Sequence, residues 1–479
     1  MELSSGTIIN ALGAKAEVYS QAAADKQIVS SLSWDSRTVK PGGVFVAIKG
    51  EHSDGNHFLM DALTTGAVLL VASSEPSLEL LTEAHAKGAA LIEVKDPEWA
   101  VGEIAKLWRT ELAARVIGVT GSSGKTSTKE LVASVLSQAY LTEKNPGNFN
   151  NLLGLPFTIL STSANTELLV LEMGMQHKGE IARYSEISNP EMAVFTNIGQ
   201  AHKELLGSQE AIAEAKAELL EALPDGYGVA ILNADDPYTA YLIQLGRLRE
   251  RGVTTISYGL SDQAEVTAKD ISYDSQGLPL FTLVLASGQS TTVKLSMPGE
   301  HSVVNALAAA ALGELLGISI EQIATGLSEA QTVALRAEMV QIDEVLIIND
   351  SYNANPDSMA ASLKTLALMD NVRPHIAVLG DMFELGSDEE ALHRQVGKLA
   401  ASSGLSQLIT VGTRARFISE AAVSSATRSE GNALQVTHVS EWQEVIPMLQ
   451  AELHKAPIIL VKASRGMALE RIVESLTSS

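Results

Sequence analysis

Short apolar runs that end in polar residues alternate with longer stretches of helical spacing along most of this chain. The runs are Val44–Ile48, Ala67–Val71 and Ala90–Val94, then Arg115–Thr120, Leu168–Glu172, Met192–Asn197 and Gly228–Asn233. A last group is Val345–Ile348, Ile376–Leu379, Leu408–Val411 and Ile458–Val461. Their length is that of strands, and their near-continuous apolar character predicts parallel sheets covered on both faces. Stretches such as Trp99–Ala113 and Ser208–Leu223 carry the helical period between them. The repetition predicts an α/β protein. Residues 263–296 break the rule, because Val, Ile, Thr and Leu alternate there with polar residues between Gly and Asp/Ser turns. They predict antiparallel strands inserted at a sheet edge, before an Ala-rich helix over Val303–Leu316.

A length of 479 residues points to about three domains. The pattern divides them at 1–112, 113–333 and 334–479. With 46% hydrophobic and 19% charged residues, the chain can bury several cores and is not disordered. The net charge of −23 argues against nonspecific binding to nucleic acid or anionic membranes. No cysteine is present, which excludes disulfides and thiolate chemistry and suits a reducing compartment. The first residues carry no basic-then-apolar signal, and no apolar run approaches the ~20 residues that span a bilayer. A soluble, cytoplasmic protein is expected.

Gly118-Val-Thr-Gly-Ser-Ser-Gly-Lys-Thr126 follows a strand-like run and precedes a helix-forming run that starts near Thr128. That context predicts a phosphate loop. Gly121, Ser122, Ser123 and Gly124 let the backbone wrap a polyphosphate. Lys125 can reach the β- and γ-phosphates, and the Thr126 hydroxyl can bind Mg2+. The long form of the motif needs Gly where Val119 stands, so the match is to the shorter Gly121-x-x-Gly-Lys-Thr form.

Other candidates lie at strand ends, where open α/β sheets bind ligands. Glu172 could hold Mg2+ beside Thr126, or be a solvated cap. His202, closing Thr196–His202, could bind a second metal or serve its own loop. Lys216 reads as a helix lysine paired with nearby glutamates. His301 and Asn305 share a helix face, and the Asn305 amide could read an adenine edge or satisfy the backbone. Asn233 opens a polar Asn-Ala-Asp-Asp end. Asp350, Asn353 and Asn355 crowd one loop, Arg336 could reach a γ-phosphate, and Asn145, Asn148, Asn150 and Asn151 could bind a polar substrate. Turn chemistry accounts for some of these asparagines equally well.

Asp35-Ser-Arg37, Gly118–Thr128, Asn145–Pro156, Glu172–Gly174, Thr196–Gly207, Asn233–Asp236, Asp350–Pro356 and Gly380–Gly386 together resemble the Mur ligase family in order and spacing. The last two resemble its dipeptide-adding members. The resemblance covers almost the whole chain. It implies a three-domain α/β fold: a nucleotide-sugar domain, a central P-loop parallel-sheet ATPase domain with an edge antiparallel segment, and a C-terminal Rossmann-like domain. It implies that Ser33, Asp35, Ser36, Arg37 and Lys49 bind a uridine nucleotide, with His52, Asp54 and His57 in an adjoining loop. It places ATP on Gly121–Thr126, with Asn233, His301 and Asn305 near the adenine and Arg336 and Asp350 brought by the C-terminal domain. Two Mg2+ ions on Thr126, Glu172, His202 and Lys216 are implied, the lysine as its carbamate. The implied substrates are UDP-N-acetylmuramoyl-tripeptide and D-alanyl-D-alanine, joined through an acyl phosphate in peptidoglycan precursor synthesis. Lys125, Glu172, His202, Lys216 and Arg336 are the implied catalytic groups, and a monomer is expected.

Overall fold

The computed structural model describes residues 1–20, 27–50, 53–200, 203–425 and 434–478. They form two compact units. The first holds Met1–Gly118, Tyr140–Met175 and Gly179–Met192, and the second holds Val119–Ala139, Gln176–Lys178 and Ala193–Ser479.

In the first unit, Leu32–Ser33, Val44–Val46, Leu69–Ala72 and Ala90–Val94 run parallel, and Ala16–Ser20 pairs antiparallel with the last of them. Phe45, Leu70 and Leu91 point from these strands into a core shared with Leu59, Leu63 and Leu80. Helix Pro97–Glu111 follows, with proline in its first turn and Asp96 accepting from Trp99 N at 2.9 Å. Its Arg109 is buried, yet the guanidinium is used: Nε donates to Ser188 O (2.7 Å) and Nη1 to Leu112 O (3.0 Å). Strands Thr142–Lys144 and Leu168–Glu172 pair in parallel.

In the second unit, Val229–Asn233 pairs in parallel with Thr254–Tyr258. A single bridge, Tyr258 to Val266, leads into a separate three-stranded antiparallel sheet of Thr267–Tyr273, Pro279–Val284 and Ser290–Lys294. Helix Glu300–Leu315 is apolar nearly all round and buried along its length, as such a helix must be. The C-terminal part is a six-stranded sheet in the order Glu338–Ile342, Val345–Asn349, Ile458–Lys462, His375–Gly380, Gln407–Val411, Gln435–Val439. The first strand is antiparallel and the rest are parallel.

The period of two explains why those strands read as continuous apolar runs. Leu346, Ile348, Ala377, Leu379, Leu408 and Leu460 face a core with Met359, Leu363 and Val396. Their neighbours Val345, Ile347, Ile376, Val378, Ile409 and Ile459 face a second core with Leu449, Leu469 and Ile472. Each buried aliphatic side chain contributes about 1.5–3 kcal/mol, and neither face tolerates a charge. Polar groups therefore collect at the strand ends.

Two expectations shift. The helix after the phosphate loop is Lys125–Leu136, starting three residues before Thr128 because Lys125 and Thr126 already belong to its first turn. The strand ends at Val46 and Phe195, where Ala47–Ile48 and Thr196–Asn197 turn to loop tasks.

Replacing the cap Asp96 with Ala should lower stability by about 1 kcal/mol. The expected reading is a lower urea midpoint with an unchanged slope, and an unchanged midpoint would contradict the capping role.

Candidate active site

Four residues, Gly121–Gly124, join strand Arg115–Thr120 to helix Lys125–Leu136. Gly124 stands before the helix at φ +76°, where a Cβ would lie 2.9 Å from Asn305 Oδ1. A Cβ on Gly121 would lie 1.9 Å from Thr196 Oγ1. The loop is that close because Thr196 and Asn197 hold it. Ser122 N donates to Asn197 O (2.9 Å) and Ser123 N to Asn197 Oδ1 (3.0 Å). In return Asn197 Nδ2 (3.2 Å) and Thr196 Oγ1 (2.6 Å) donate to Ser123 O. Lys125 folds back, its Nζ donating to Gly121 O at 2.8 Å.

Ser122 Oγ and Thr126 Oγ1 are buried with no hydrogen-bond partner among the described residues. Leaving a buried hydroxyl unsatisfied costs about 1–3 kcal/mol, so both are prepared for atoms the chain does not supply. At a helix N-terminus those atoms are anionic oxygens, and for Thr126 also a cation. Among the described residues no three His, Asp or Glu side chains cluster as a metal cage. That suits Mg2+, which takes one or two protein ligands and completes its shell with phosphate oxygens and water. The Thr126 hydroxyl thus fits the implied ion.

Beside the loop is a cavity of about 240 Å³ lined by Thr196, Asn197, Asn233, His301, Asn305 and Lys364, among others. The Asn233 amide is committed to the backbone, Nδ2 donating to Thr196 O (2.9 Å) and Oδ1 accepting from Asp235 N (3.0 Å). Burial pushes the His301 imidazole below its ordinary value, so the ring is neutral. Its Nδ1 is buried without a partner among the described residues. Lys364 and Glu300 form an ion pair at 2.7 Å.

Lys216, in helix Gln209–Glu221, is 1% exposed. Burial first, and the positive charge of Lys125 second, push its amine well below the ordinary lysine value. The sequence suggested a solvent-facing partner of nearby glutamates. The helix instead turns Lys216 inward, since Ala213, Ala215 and Ala217 around it are buried too.

Arg336 stacks on Tyr352, its guanidinium carbon 4.0 Å from the ring centre. Asp350 accepts from Ala337 N (3.2 Å) and Ser362 Oγ (2.7 Å). Asn353 Oδ1 accepts from Ala354 N (2.9 Å). Asn355 caps helix Pro356–Ala367, its Oδ1 accepting from Ser358 N (2.8 Å).

The first unit carries the other candidates. Asn145 is stitched to Glu172 through its Oδ1, which accepts from Glu172 N at 2.8 Å. Asn150 Nδ2 donates to Glu172 Oε1 at 2.7 Å. Asn151 Oδ1 accepts from Gly154 N at 2.8 Å, and Asn148 is exposed. Glu172 itself is buried, so Asn150 fixes the carboxylate from one side.

Ser33 Oγ accepts from Asp35 N at 3.0 Å, Ser36 is buried, and Lys49 bridges to Asp54. Arg37 grips Asp35 with two bonds, Nε at 2.9 Å and Nη2 at 2.7 Å. Those bonds hold the Asp35 carboxyl down at about 2. His52 and His202 lie outside the described residues.

The sequence reading passed over Asn197 as a separate functional residue, although it named the Thr196–His202 run. A Thr-Asn pair directly after an apolar strand was the available signal. Nothing along the chain pointed to the Glu300–Lys364 pair, whose members are far apart in sequence.

Comparison with known proteins followed from this geometry. A profile described as Mur ligase middle domain matches residues 119–313. The Mur ligase, glutamate ligase domain matches 335–465, and the Mur ligase family, catalytic domain matches 28–109. The UDP-N-acetylmuramoyl-tripeptide–D-alanyl-D-alanine ligase of Bacillus subtilis (strain 168) is 38% identical over 459 residues, covering 95% of this chain and 94% of its own. A crystal structure of MurF from Acinetobacter baumannii superposes with a TM-score of 0.86 at 29% identity, covering 100% of this chain and 99% of that one. MurF ligase from Thermotoga maritima in complex with ADP superposes at 0.79 and 28% identity, covering 93% and 96%.

Gly121→Ala should lower ADP affinity at least about tenfold, because overpacking of this kind forces the backbone aside. Calorimetry that found wild-type affinity would contradict the brace by Thr196.

Proposed function

The chain belongs to the Mur ligase family and has its three-domain α/β architecture, and from that premise we infer an ATP-dependent ligase that joins D-alanyl-D-alanine to UDP-N-acetylmuramoyl-tripeptide. The observation that carries the nucleotide half is the phosphate loop gripped by Thr196 and Asn197, with the Ser122 and Thr126 hydroxyls left buried and unpartnered among the described residues.

A carboxylate is a poor electrophile, so the tripeptide carboxylate is first phosphorylated by ATP. The resulting acyl phosphate is attacked by the neutral amine of the dipeptide, and amide and phosphate leave. Lys125 and the backbone N–H groups at the start of its helix hold the polyphosphate and the charge that spreads over the transferred phosphoryl oxygens. Arg336 adds a second cation at those oxygens. Thr126 and Glu172 are the residues that would hold Mg2+, which would neutralise phosphate charge there. Asn150 keeps the Glu172 carboxylate aimed. The neutral His301 and the Asn305 amide line the base end of the nucleotide. Ser33, Asp35, Ser36, Arg37 and Lys49 hold the uridine end of the other substrate, with the Arg37–Asp35 fork setting the shape of that turn.

Lys216 acts as its carbamate. The reaction needs a neutral amine: the nitrogen lone pair attacks the carbon of CO2, an N–C bond forms and a proton leaves. Burial and Lys125 both keep this amine neutral. The anion so formed faces Lys125 with opposite charge, and it can ligate a cation, which an ammonium cannot.

Phosphate release that requires both UDP-N-acetylmuramoyl-tripeptide and D-alanyl-D-alanine tests the reaction, and release with ATP alone at the full rate would refute it. Lys216→Ala should be nearly inactive and partly rescued by a small carboxylate that enters the vacated space. The wild-type enzyme in labelled bicarbonate should show a carbamate carbon signal that the variant lacks. Full activity of Lys216→Ala, or no such signal, would defeat the carbamate.

A further inference from the structure

Lys462 has no part in the scheme above, yet it ends a central strand with its side chain only 3% exposed. Strands Val345–Asn349 and Ile458–Lys462 are parallel neighbours, with Asn349 opposite Val461. Their polar ends therefore meet. Lys462 Nζ donates to Asp350 Oδ2 at 2.6 Å and to Asn353 O at 3.1 Å.

Asp350 carries this grip onward, because its Oδ1 accepts from Ala337 N. Ala337 (φ +50°) and Leu335 (φ +64°) flank Arg336, and both stand in the left-handed region. Two such residues persist only where their surroundings over-determine them. The ties are Asp350 to Ala337 and Tyr352 N to Leu335 O at 3.1 Å. Arg336 then rests on the Tyr352 ring. All these anchors belong to the loop that Lys462 holds.

Charge completes the argument. Arg336 forms no ion pair among the described residues, while Asp350 already has a cation of its own in Lys462. Without Lys462, the part-buried carboxylate of Asp350, bonded to Ala337 N beside Arg336, would be left without its cation. An uncompensated buried charge strongly recruits an available partner, and the guanidinium would be drawn to it and away from phosphate.

We propose that Lys462 is a positioning residue for phosphoryl transfer: by neutralising Asp350 and fixing the 350–353 loop, it keeps Arg336 unpaired and presented to the nucleotide. This rests on the ligase reading. It assigns a task to a lysine whose hydrogen bonds go to Asp350 and the Asn353 backbone.

The test is steady-state kinetics on the full-length protein, with the KM of each substrate measured separately. Lys462→Met should lower kcat/KM for ATP roughly hundredfold, the usual effect of misplacing one positioned group, with the KM for D-alanyl-D-alanine little changed. Adding Asp350→Asn should return much of that loss, because the Asn oxygen still accepts from Ala337 N while its amide nitrogen, facing Ser362, is uncharged and cannot capture a guanidinium. Lys462→Arg, which keeps the charge, should stay closer to wild type than Lys462→Met. Where Lys462→Met does not fold, the double variant and Lys462→Arg carry the comparison, and a double variant that folds but is as slow as Arg336→Ala would overturn the proposal. Lys462→Met kinetics within threefold of wild type would also overturn it, as would equal losses for all three substrates without recovery in the double variant. Wild-type protein that released no phosphate with both acceptors present would instead defeat the ligase reading itself.

Discussion

The mutual grip between Ser122–Ser123 and Thr196–Asn197 is the contact on which nucleotide handling depends. A phosphate loop must keep several N–H groups pointing at one point in space, and its short, glycine-containing backbone has little means of doing so alone. Here the next strand end does it, with donors and acceptors passing in both directions. The same contact explains the unusual motif. Val119 takes the place of the first glycine of the long form, but it lies buried inside strand Arg115–Thr120. The turn begins at Gly121, and there a Cβ has no room.

Much of the fold was legible because period and burial coincide. Ala90–Val94 and Leu168–Glu172 were read from the sequence with the limits they have in the structure. Strands buried on both faces leave no alternative residue choice. The strands that escaped were edge or short ones, Glu338–Ile342, Thr254–Tyr258 and Gln435–Val439, whose half-exposed patterns mix polar and apolar residues. The site was legible where chemistry is local in sequence, as at Gly121–Thr126. It was not legible where a side chain's meaning depends on which way a helix faces. Lys216 looked like a surface lysine among glutamates, and only packing shows that it faces inward. Asn151 and Asn355 read as ligand groups; Asn355 caps a helix, and Asn151 accepts from the backbone at Gly154. Asn has the same two roles in every sequence, so composition cannot separate them.

A chain of net charge −23 that handles polyphosphate has to isolate its cations from its own carboxylates. Several lysines and arginines here are paired at the surface, as Lys203 is with Asp388 and Arg394 with Glu390 and Glu420. Those pairs are worth little and are screened by salt. Lys125 and Arg336 are arranged differently. Lys125 donates to backbone carbonyls of its own loop, and Arg336 lies on an aromatic face.

Two of the buried lysines, Lys462 and Lys216, complete that logic by opposite routes. A buried ammonium must find a counter-ion or lose its proton. Lys462 finds one in Asp350, and the pair is electrically silent toward the nucleotide while it holds the surrounding loop. At Lys216, burial first and the like charge of Lys125 second push the amine well below the ordinary lysine value. Were Lys216 charged, the two lysines would repel each other. Were it merely neutral, a long polar side chain would be buried for no gain. The same burial thus acts on both amines, lowering one and pairing the other with a carboxylate.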